Sequence, residues 1–331
     1  MSEAAPLAGT DLDRVAAELR DRDRFLLTAH EGPDGDALGS LLAMHQILTA
    51  LGKDSVMFLA SKEFPLPVEY RFLPLEEVFH EAPMDLADRE VVFLDCGNID
   101  RMPVDWLQGN GKAIINIDHH HDNTRFGTLN LVDEGASSTA EIVFDLAREL
   151  GIELTPEIAL ALYVGLVTDT GRFMYESTTP RTHRVAAELI AAGVDVDDTY
   201  RRLYERVPME KLRLVERALG AAESHAGGAL VMSYVTSDDY AASGASEVHT
   251  EGIIDYLRSI EGARVAALVR DKRDGPQPRK VSLRSVDGAI DVSEIAREKG
   301  GGGHARAAGF STDLSYEELV EFLSARLRAQ L

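Results

Sequence analysis

The 331-residue chain contains one cysteine, Cys96, and a single tryptophan. One thiol excludes an intramolecular disulfide framework and any zinc cluster built on several cysteines. Long apolar runs are also missing. The longest, Ile158 to Val167, falls well short of the roughly 18 residues a membrane-spanning helix requires and reads as a buried element. The start, Met1-Ser2-Glu3-Ala4-Ala5-Pro6, lacks the basic and then apolar regions of a secretory leader, so a cytoplasmic protein is expected. Positive charge is scarce. Lys and Arg number 34 against 56 Asp and Glu, a net charge of −22, the wrong sign for a protein that coats long nucleic acid by releasing counterions. Aromatic residues make up only 6% while hydrophobic residues reach 45%. The acid excess therefore belongs to the surface of a folded protein and not to a disordered acidic chain. At this length two hydrophobic cores are expected instead of one.

What is present is alternation. From Asp11 to about Leu150, short apolar runs alternate with amphipathic stretches in the rhythm of an α/β fold. Residues 24–29, 55–59, 91–94 and 113–117 read as strands apolar on both faces, as in a parallel sheet. Asp36 to Leu51 has helical spacing and stops at Gly52, a residue suited to a left-handed C-cap. Helices are expected at 137–150, 156–168, 181–192 and 197–224, the last broken near Pro208. A second unit opens at Gly227-Gly228 with a strand at 229–235, followed by strands at 263–270 and 279–286 and helices at 252–259, 291–298 and 315–329. Asp274-Gly275-Pro276-Gln277-Pro278 reads as a hairpin loop. The expected organisation is an α/β domain with a parallel sheet over 1–185, a helical connector over 186–226 and a smaller α+β domain over 227–331.

Chemistry collects at the strand ends. His30-Glu31-Gly32-Pro33-Asp34-Gly35-Asp36 lies between an apolar strand and a helix, at the edge where open α/β sheets bind ligands. Pro33 and Gly35 bend the chain so that Asp34 and Asp36 need not point apart. Taken alone, either aspartate could equally N-cap the following helix. Two further apolar strands end in Asp95-Cys96-Gly97 and in Asp118-His119-His120-His121. A strand that delivers Asp or His at its carboxyl end thus recurs three times, which implies a shared metal site. Asp169 follows the apolar run 158–167; a carboxylate at a helix C-terminus opposes the macrodipole, which weakens a purely structural reading. Carboxylates and imidazoles without thiolates suit Mn²⁺, with Mg²⁺ or Co²⁺ as substitutes, better than structural zinc. So many carboxylates exceed what one divalent ion neutralises, whereas two ions ~3.5–4 Å apart sharing an aspartate would use them.

The run His30-x-x-Pro33-Asp34-x-Asp36, the isolated Asp95, the triplet Asp118-His119-His120 and the later Asp169 resemble the DHH phosphoesterases in order and approximate spacing. That family includes RecJ-type exonucleases, manganese pyrophosphatases and nanoRNases. Gly300-Gly301-Gly302-Gly303-His304-Ala305-Arg306-Ala307-Ala308-Gly309 resembles the signature of the associated C-terminal substrate domain. The resemblance implies that His30, Asp34 and Asp95 hold one metal while Asp36, Asp95, His119 and Asp169 hold the other, with Asp95 as the bridge. It places His120 beside the reacting phosphate, to stabilise or protonate it, and gives Asp118 the task of orienting His119. His121 is assigned no role, and Cys96 reads as a small buried packing residue.

The four glycines could be a flexible linker, or a backbone that approaches a phosphate closely and turns its N–H groups toward it. The resemblance favours the cradle. Residues 262–310 carry ten Lys or Arg against six Asp or Glu, a local charge of +4. Ser282 and Arg284 alternate onto one face of a strand that resembles the family's nucleotide-contacting strand. Arg284 and His304 are therefore expected to grip substrate, with Ser282, Gly301, Gly302 and Gly303 beside them and Arg306 and Arg258 as secondary candidates.

The function expected is a dinuclear metal phosphoesterase that hydrolyses short oligonucleotides, linear dinucleotides such as pApA, and 3′-phosphoadenosine 5′-phosphate, held between the metals and the smaller domain. The alternatives are a phosphodiesterase for cyclic dinucleotides such as cyclic di-AMP, a single-strand exonuclease, a manganese pyrophosphatase and a non-catalytic dinucleotide sensor. A homodimer is possible, as relatives commonly dimerise, and neither a membrane nor a long nucleic-acid groove is expected.

Overall fold

The computed structural model describes residues 9–102, 104–108, 113–205, 207–272, 277–286 and 289–331. The chain forms two compact units, residues 1–206 and 207–331. The first contains α1 (Gly9–Asp21), β1 (Arg24–Ala29), α2 (Gly35–Ala50), β2 (Asp54–Phe58), β3 (Glu90–Leu94), α3 (Asp105–Gln108), β4 (Ile114–Asp118), β5 (Leu129–Val132), α4 (Thr139–Glu149), α5 (Pro156–Asp169), α6 (Pro180–Ala191) and α7 (Val196–Tyr200). Its sheet is entirely parallel, in the order β2-β1-β3-β4-β5.

Alternate residues feed two cores. Phe25 and Leu27 pack with Leu38 and Leu41 of α2, whereas Leu26 and Phe93 face the opposite side with Phe58 and Met102. Strands buried on both faces explain why the sequence shows apolar runs and not alternation. The fifth strand, β5, escapes that pattern because it is only four residues long and carries Asn130.

Helix ends follow local signals. Ser138 caps α4 and Thr155 caps α5, with Pro156 in its first turn. The decisive packing is between α2 and α5. On α2, Gly35 and Gly39 lie four apart and so share one face. A Cβ on Gly39 would come within 2.4 Å of the Ala161 carbonyl oxygen, and one on Gly35 within 2.4 Å of Thr168 Oγ1. The two helices therefore touch backbone to backbone, which brings the start of α2, with Asp36, beside the end of α5, with Asp169. The bend attributed to Gly35 is in fact this close approach.

The second unit holds α8 (Met209–Gly220), β6 (Glu223–His225), β7 (Leu230–Val235), α9 (Ser237–Ser243), α10 (Ile253–Arg258), β8 (Val265–Asp271), β9 (Arg279–Ser285), α11 (Val292–Arg297), β10 (Gly302–His304), β11 (Ala307–Thr312) and α12 (Tyr316–Gln330). They make a six-stranded mixed sheet, β10-β11-β9-β8-β7-β6, in which only β7 and β8 run parallel. Three of its strands, β6, β10 and β11, lie outside the expected set, and β10 is built from the glycine run itself. The helix expected over 197–224 does break near Pro208, which is the N-cap of α8; before it lie α7 and a wider π-type turn at Arg201–Glu205, and its tail continues into β6. The stretch 186–226 divides between the units: α6 buries Val185, Ala186 and Leu189 in the first core, and α8 buries Leu214 and Ala218 in the second. In the expected hairpin loop, residues 274–276 lie outside the described residues, although β8 and β9 do pair antiparallel on either side. Among the described residues no helix is long and apolar enough to cross a membrane.

Replacing Gly39 with Ala forces α2 away from α5. Overpacking of this kind costs about 1–3 kcal/mol, more than the roughly 1 kcal/mol that alanine gains over glycine inside a helix. Gly39→Ala is thus expected to lower the urea midpoint and to weaken divalent-metal binding at the same time; an unchanged midpoint would show that the contact is not tight.

Candidate active site

Three of the five strands of the first sheet deliver a functional group at their carboxyl ends. His30 follows β1, Asp95 follows β3, and Asp118 closes β4 with His119 and His120 directly behind it. Asp34 and Asp36 start α2, and Asp169 is the last residue of α5. These side chains converge in three groups, in each of which the donor atoms all lie within 4.8 Å of one another: His30, Asp34 and Asp95; Asp36, His119 and Asp169; and Asp95, His119 and His120. His119 Nε2 stands 3.6 Å from Asp95, 3.5 Å from Asp169 and 3.9 Å from Asp36, and His30 Nε2 stands 3.5 Å from Asp95.

The imidazoles are aimed by backbone. His30 Nδ1 donates to the Glu31 carbonyl at 2.8 Å and His119 Nδ1 faces the Ala136 carbonyl at 3.4 Å. In both, Nε2 is left with a lone pair toward the acids, as a metal ligand requires. Asp34 does both jobs that its position allowed: Oδ1 accepts from the N–H groups of Asp36 and Ala37, capping α2, while its carboxylate faces His30 and Asp95. Asp36 caps a different helix. It accepts from Thr139 N at 2.6 Å and Ala140 N at 2.9 Å, the first amides of α4.

Asp118 orients His120, not His119 as the resemblance implied. Its Oδ1 accepts from His120 Nδ1 at 2.7 Å, and its Oδ2 accepts from Asn123. Asp118 is the final residue of β4, so the side chain two positions on, beyond the turn, returns to its face. Burial opposes a charge on His120, but Asp118 and Asp95 outweigh it and push this imidazole up to about 9. His121 is exposed. Cys96 is buried, donates to the Asn98 carbonyl, and has its thiol pushed up to about 12 chiefly by burial.

The carboxylates are in conflict with one another. Asp36 and Asp95 are 1% and 2% exposed. Burial, then the charges of Asp95 and Asp169, push Asp36 well above the ordinary carboxylate range; burial, then Asp34 and Asp95, do the same to Asp169. Burial also opposes ionisation of Asp95, yet His30, His120 and His119 hold it below its usual range. Divalent cations at the groups named above would remove the conflict, and the all-oxygen and imidazole donor set fits them. Asp95 itself adopts a left-handed φ of 57°, a strained conformation of the kind that collects at functional sites.

Two contributors were not legible in the sequence. Thr139 touches both ends of the site, through its amide to Asp36 and through Oγ1 to Asp95 at 3.0 Å. Arg101, whose carbonyl accepts from Glu31 N at 2.7 Å, stands close enough for its charge to act on both His30 and His120.

In the second unit, Gly302, Gly309 and Ser282 stand in register across β10, β11 and β9, with Ala307 opposite Arg284. Arg284 and Ser282 share that face with Lys280, and Arg270 reaches Ser282 Oγ at 3.2 Å. Arg270 and Lys280 were not singled out in the sequence. The glycines serve the backbone first: a Cβ on Gly301 would lie 2.2 Å from the Gly309 oxygen, and one on Gly303 2.4 Å from the Ala307 oxygen, while Gly302 has open space. Arg306 is exposed in the turn between β10 and β11. Arg258 pairs with Asp255 on α10. The side chain of His304 lies outside the described residues.

Residues 24–166 match the DHH family, N-terminal domain, and residues 227–330 match the DHHA1 domain. The bifunctional oligoribonuclease and PAP phosphatase NrnA of Thermus thermophilus is 36% identical over 91% of this chain and 89% of its own. The chain belongs to the DHH phosphoesterase family. The NrnA protein of Bacillus subtilis is 28% identical over 91% of the chain and 93% of its own. In fold, an exopolyphosphatase-related protein from Bacteroides fragilis superposes with a TM-score of 0.89 at 24% identity, covering 99% of this chain and 98% of that one. RecJ of Thermus thermophilus in complex with Mn²⁺ gives a TM-score of 0.58 at 19% identity, over 99% of this chain and 55% of that one. As a DHH phosphoesterase, this protein is a hydrolase acting on phosphoester bonds.

Because Asp95 belongs to two of the three donor groups, Asp95→Asn should weaken Mn²⁺ binding at both, by about 100-fold or more, while circular dichroism stays unchanged. Saturating Mn²⁺ should raise the melting temperature of the natural protein by mass action and leave that of the variant nearly unmoved. Equal Mn²⁺ titrations by calorimetry would rule out a shared carboxylate.

Proposed function

We propose that this DHH phosphoesterase hydrolyses short oligoribonucleotides and dephosphorylates 3′-phosphoadenosine 5′-phosphate. What carries the reading is the match, at 36% identity and nearly full length, to an oligoribonuclease and PAP phosphatase. The convergence of His30, Asp34, Asp36, Asp95, His119 and Asp169 on one sheet edge supports it. His30, Asp34 and Asp95 would hold one divalent ion and Asp36, Asp95, His119 and Asp169 a second, with Mn²⁺ the ion best matched to the donors. Such ions lower the pKa of bound water and offset charge on a phosphoryl group.

The protein's own groups do the rest. Asp36 is fixed by the α4 amides and Asp95 by Thr139, so neither carboxylate reorganises as substrate enters. His120, with Nδ1 committed to Asp118, carries its other proton at Nε2 and donates it to a phosphoryl or leaving oxygen. Arg284, Ser282, Gly301, Gly302, Gly303, His304 and Arg306 would bind the rest of the substrate. Arg270 and Lys280 add positive charge to that face, and a small basic patch of this size suits a short anion better than a long strand.

With Mn²⁺, pApA, an RNA pentamer and 3′-phosphoadenosine 5′-phosphate should all be turned over. A long single strand should be poorer by at least about tenfold in kcat/KM, near 1.4 kcal/mol. Equal rates on the long strand would instead make the protein a general exonuclease. His120→Asn should lower kcat by about 100- to 10,000-fold with little change in KM; a loss confined to KM would remove His120 from the chemistry.

A further inference from the structure

One buried amide in the first sheet has no part in the chemistry assigned so far. β4 reads Ile-Ile-Asn-Ile-Asp, and Asn116 is fully buried in the middle of it. An amide kept from water is costly unless its polar atoms are bonded. Those of Asn116 are. Nδ2 donates to the Cys96 carbonyl at 3.0 Å, and Oδ1 accepts from Asn123 Nδ2 at 2.8 Å. The Asn123 amide has one orientation that satisfies its neighbours, because its own Oδ1 accepts from Arg125 N at 2.6 Å. Its nitrogen is thereby turned to Asn116 and to Asp118 Oδ2.

These bonds form a line that ends at His120. Asn116 and Asp118 are two apart on β4 and so project from one face. Asp118 is also fully buried, with Oδ2 taken by Asn123 and Oδ1 by His120 Nδ1 at 2.7 Å. A carboxylate held at both oxygens cannot turn, and the imidazole bonded to it is held in turn. His120 Nδ1 has a second carboxylate within a small rotation of the ring, since Asp95 Oδ1 stands 3.5 Å away. What keeps Asp118 still therefore decides which acid the imidazole serves. Asn123 N also donates to the His120 carbonyl at 3.2 Å, closing the turn that carries the imidazole.

We infer that Asn123, braced by Asn116, is a positioning residue for His120: it fixes Asp118 so that the imidazole stays on that carboxylate and does not swing to Asp95. The inference rests on the proposed role of His120 as proton donor and adds the residues that aim it. A hydrogen-bonded partner behind a catalytic group is a recurrent way of setting its direction, and small misplacements of such a group are expensive in rate.

The test is a double-mutant cycle on pApA cleavage at saturating Mn²⁺. Asn123→Ala should lower kcat by about 10- to 100-fold and leave KM within about twofold. Asn116→Ser, one bond further from the imidazole, should show a smaller loss of the same kind, and it carries the test if Asn123→Ala does not fold. In a His120→Asn background, Asn123→Ala should cost less than about twofold more, since the residue it acts through is gone. A second readout needs neither metal nor turnover. Proton NMR of the metal-free protein should show a far-downfield imidazole N–H, assigned by its absence in His120→Asn, that Asn123→Ala moves upfield or removes. Equal fractional losses with and without His120, or an unchanged kcat and an unmoved resonance in Asn123→Ala, would overturn the inference. No cleavage of pApA by the natural protein, or full activity of His120→Asn, would remove the reading beneath it and leave the resonance to decide whether Asn123 aims the ring.

Discussion

Everything in the first unit answers one electrostatic demand: Asp36, Asp95 and Asp169 are brought together away from water, where like charges repel strongly. The fold supplies three kinds of relief. The amides at the start of α4 donate to Asp36, the Thr139 hydroxyl donates to Asp95, and three imidazoles, of His30, His119 and His120, line the remaining space. None of these carries the full positive charge the cluster lacks, so the protein by itself is complete as a scaffold and incomplete as a charge distribution. Divalent cations would supply that charge, and the parallel sheet is the device that gathers the groups able to hold them, since all its strands end on one edge.

The side chains that converge could be read from the sequence because they sit near the places where apolar runs stop, and that transition is visible without a structure. Their support could not. Backbone amides that hold Asp36 leave no mark on residue identity, and Thr139 looks like any first-turn threonine. The glycines show the same limit in another form. Gly35 has the composition of a turn, yet it is there because Thr168 of another helix occupies the space a side chain would need. Gly301 and Gly303 belong to the same class: their sequence suggests an anion cradle, and their first physical duty is to let β10 lie against β11. Register was equally hidden, since only the pairing of Gly309 with Ser282 reveals that the glycine run and the basic strand share a face.

Charge is sorted by unit. The acids that matter chemically lie inside the first unit, at the ends of β3, β4 and α5 and the start of α2, and cations would neutralise them. The basic residues that matter lie on strands of the second, Arg270, Lys280 and Arg284, on one side of the sheet. A net charge of −22 disfavours extended nucleic acid over the surface at large, while the basic face of the second sheet departs locally from that balance.

Cys96 bears on which cation the protein keeps. It is adjacent in sequence to the carboxylate shared between donor groups, and a thiolate there would recruit soft ions such as Zn²⁺ or Cu⁺ in preference to hard ones. Burial and a thiol pushed up to about 12 keep the sulfur protonated, turned toward the Asn98 carbonyl and closed to oxidants. The site thus stays a hard, oxygen-rich trap. Any preference for hard cations would owe as much to this silenced sulfur as to the carboxylates and imidazoles on display.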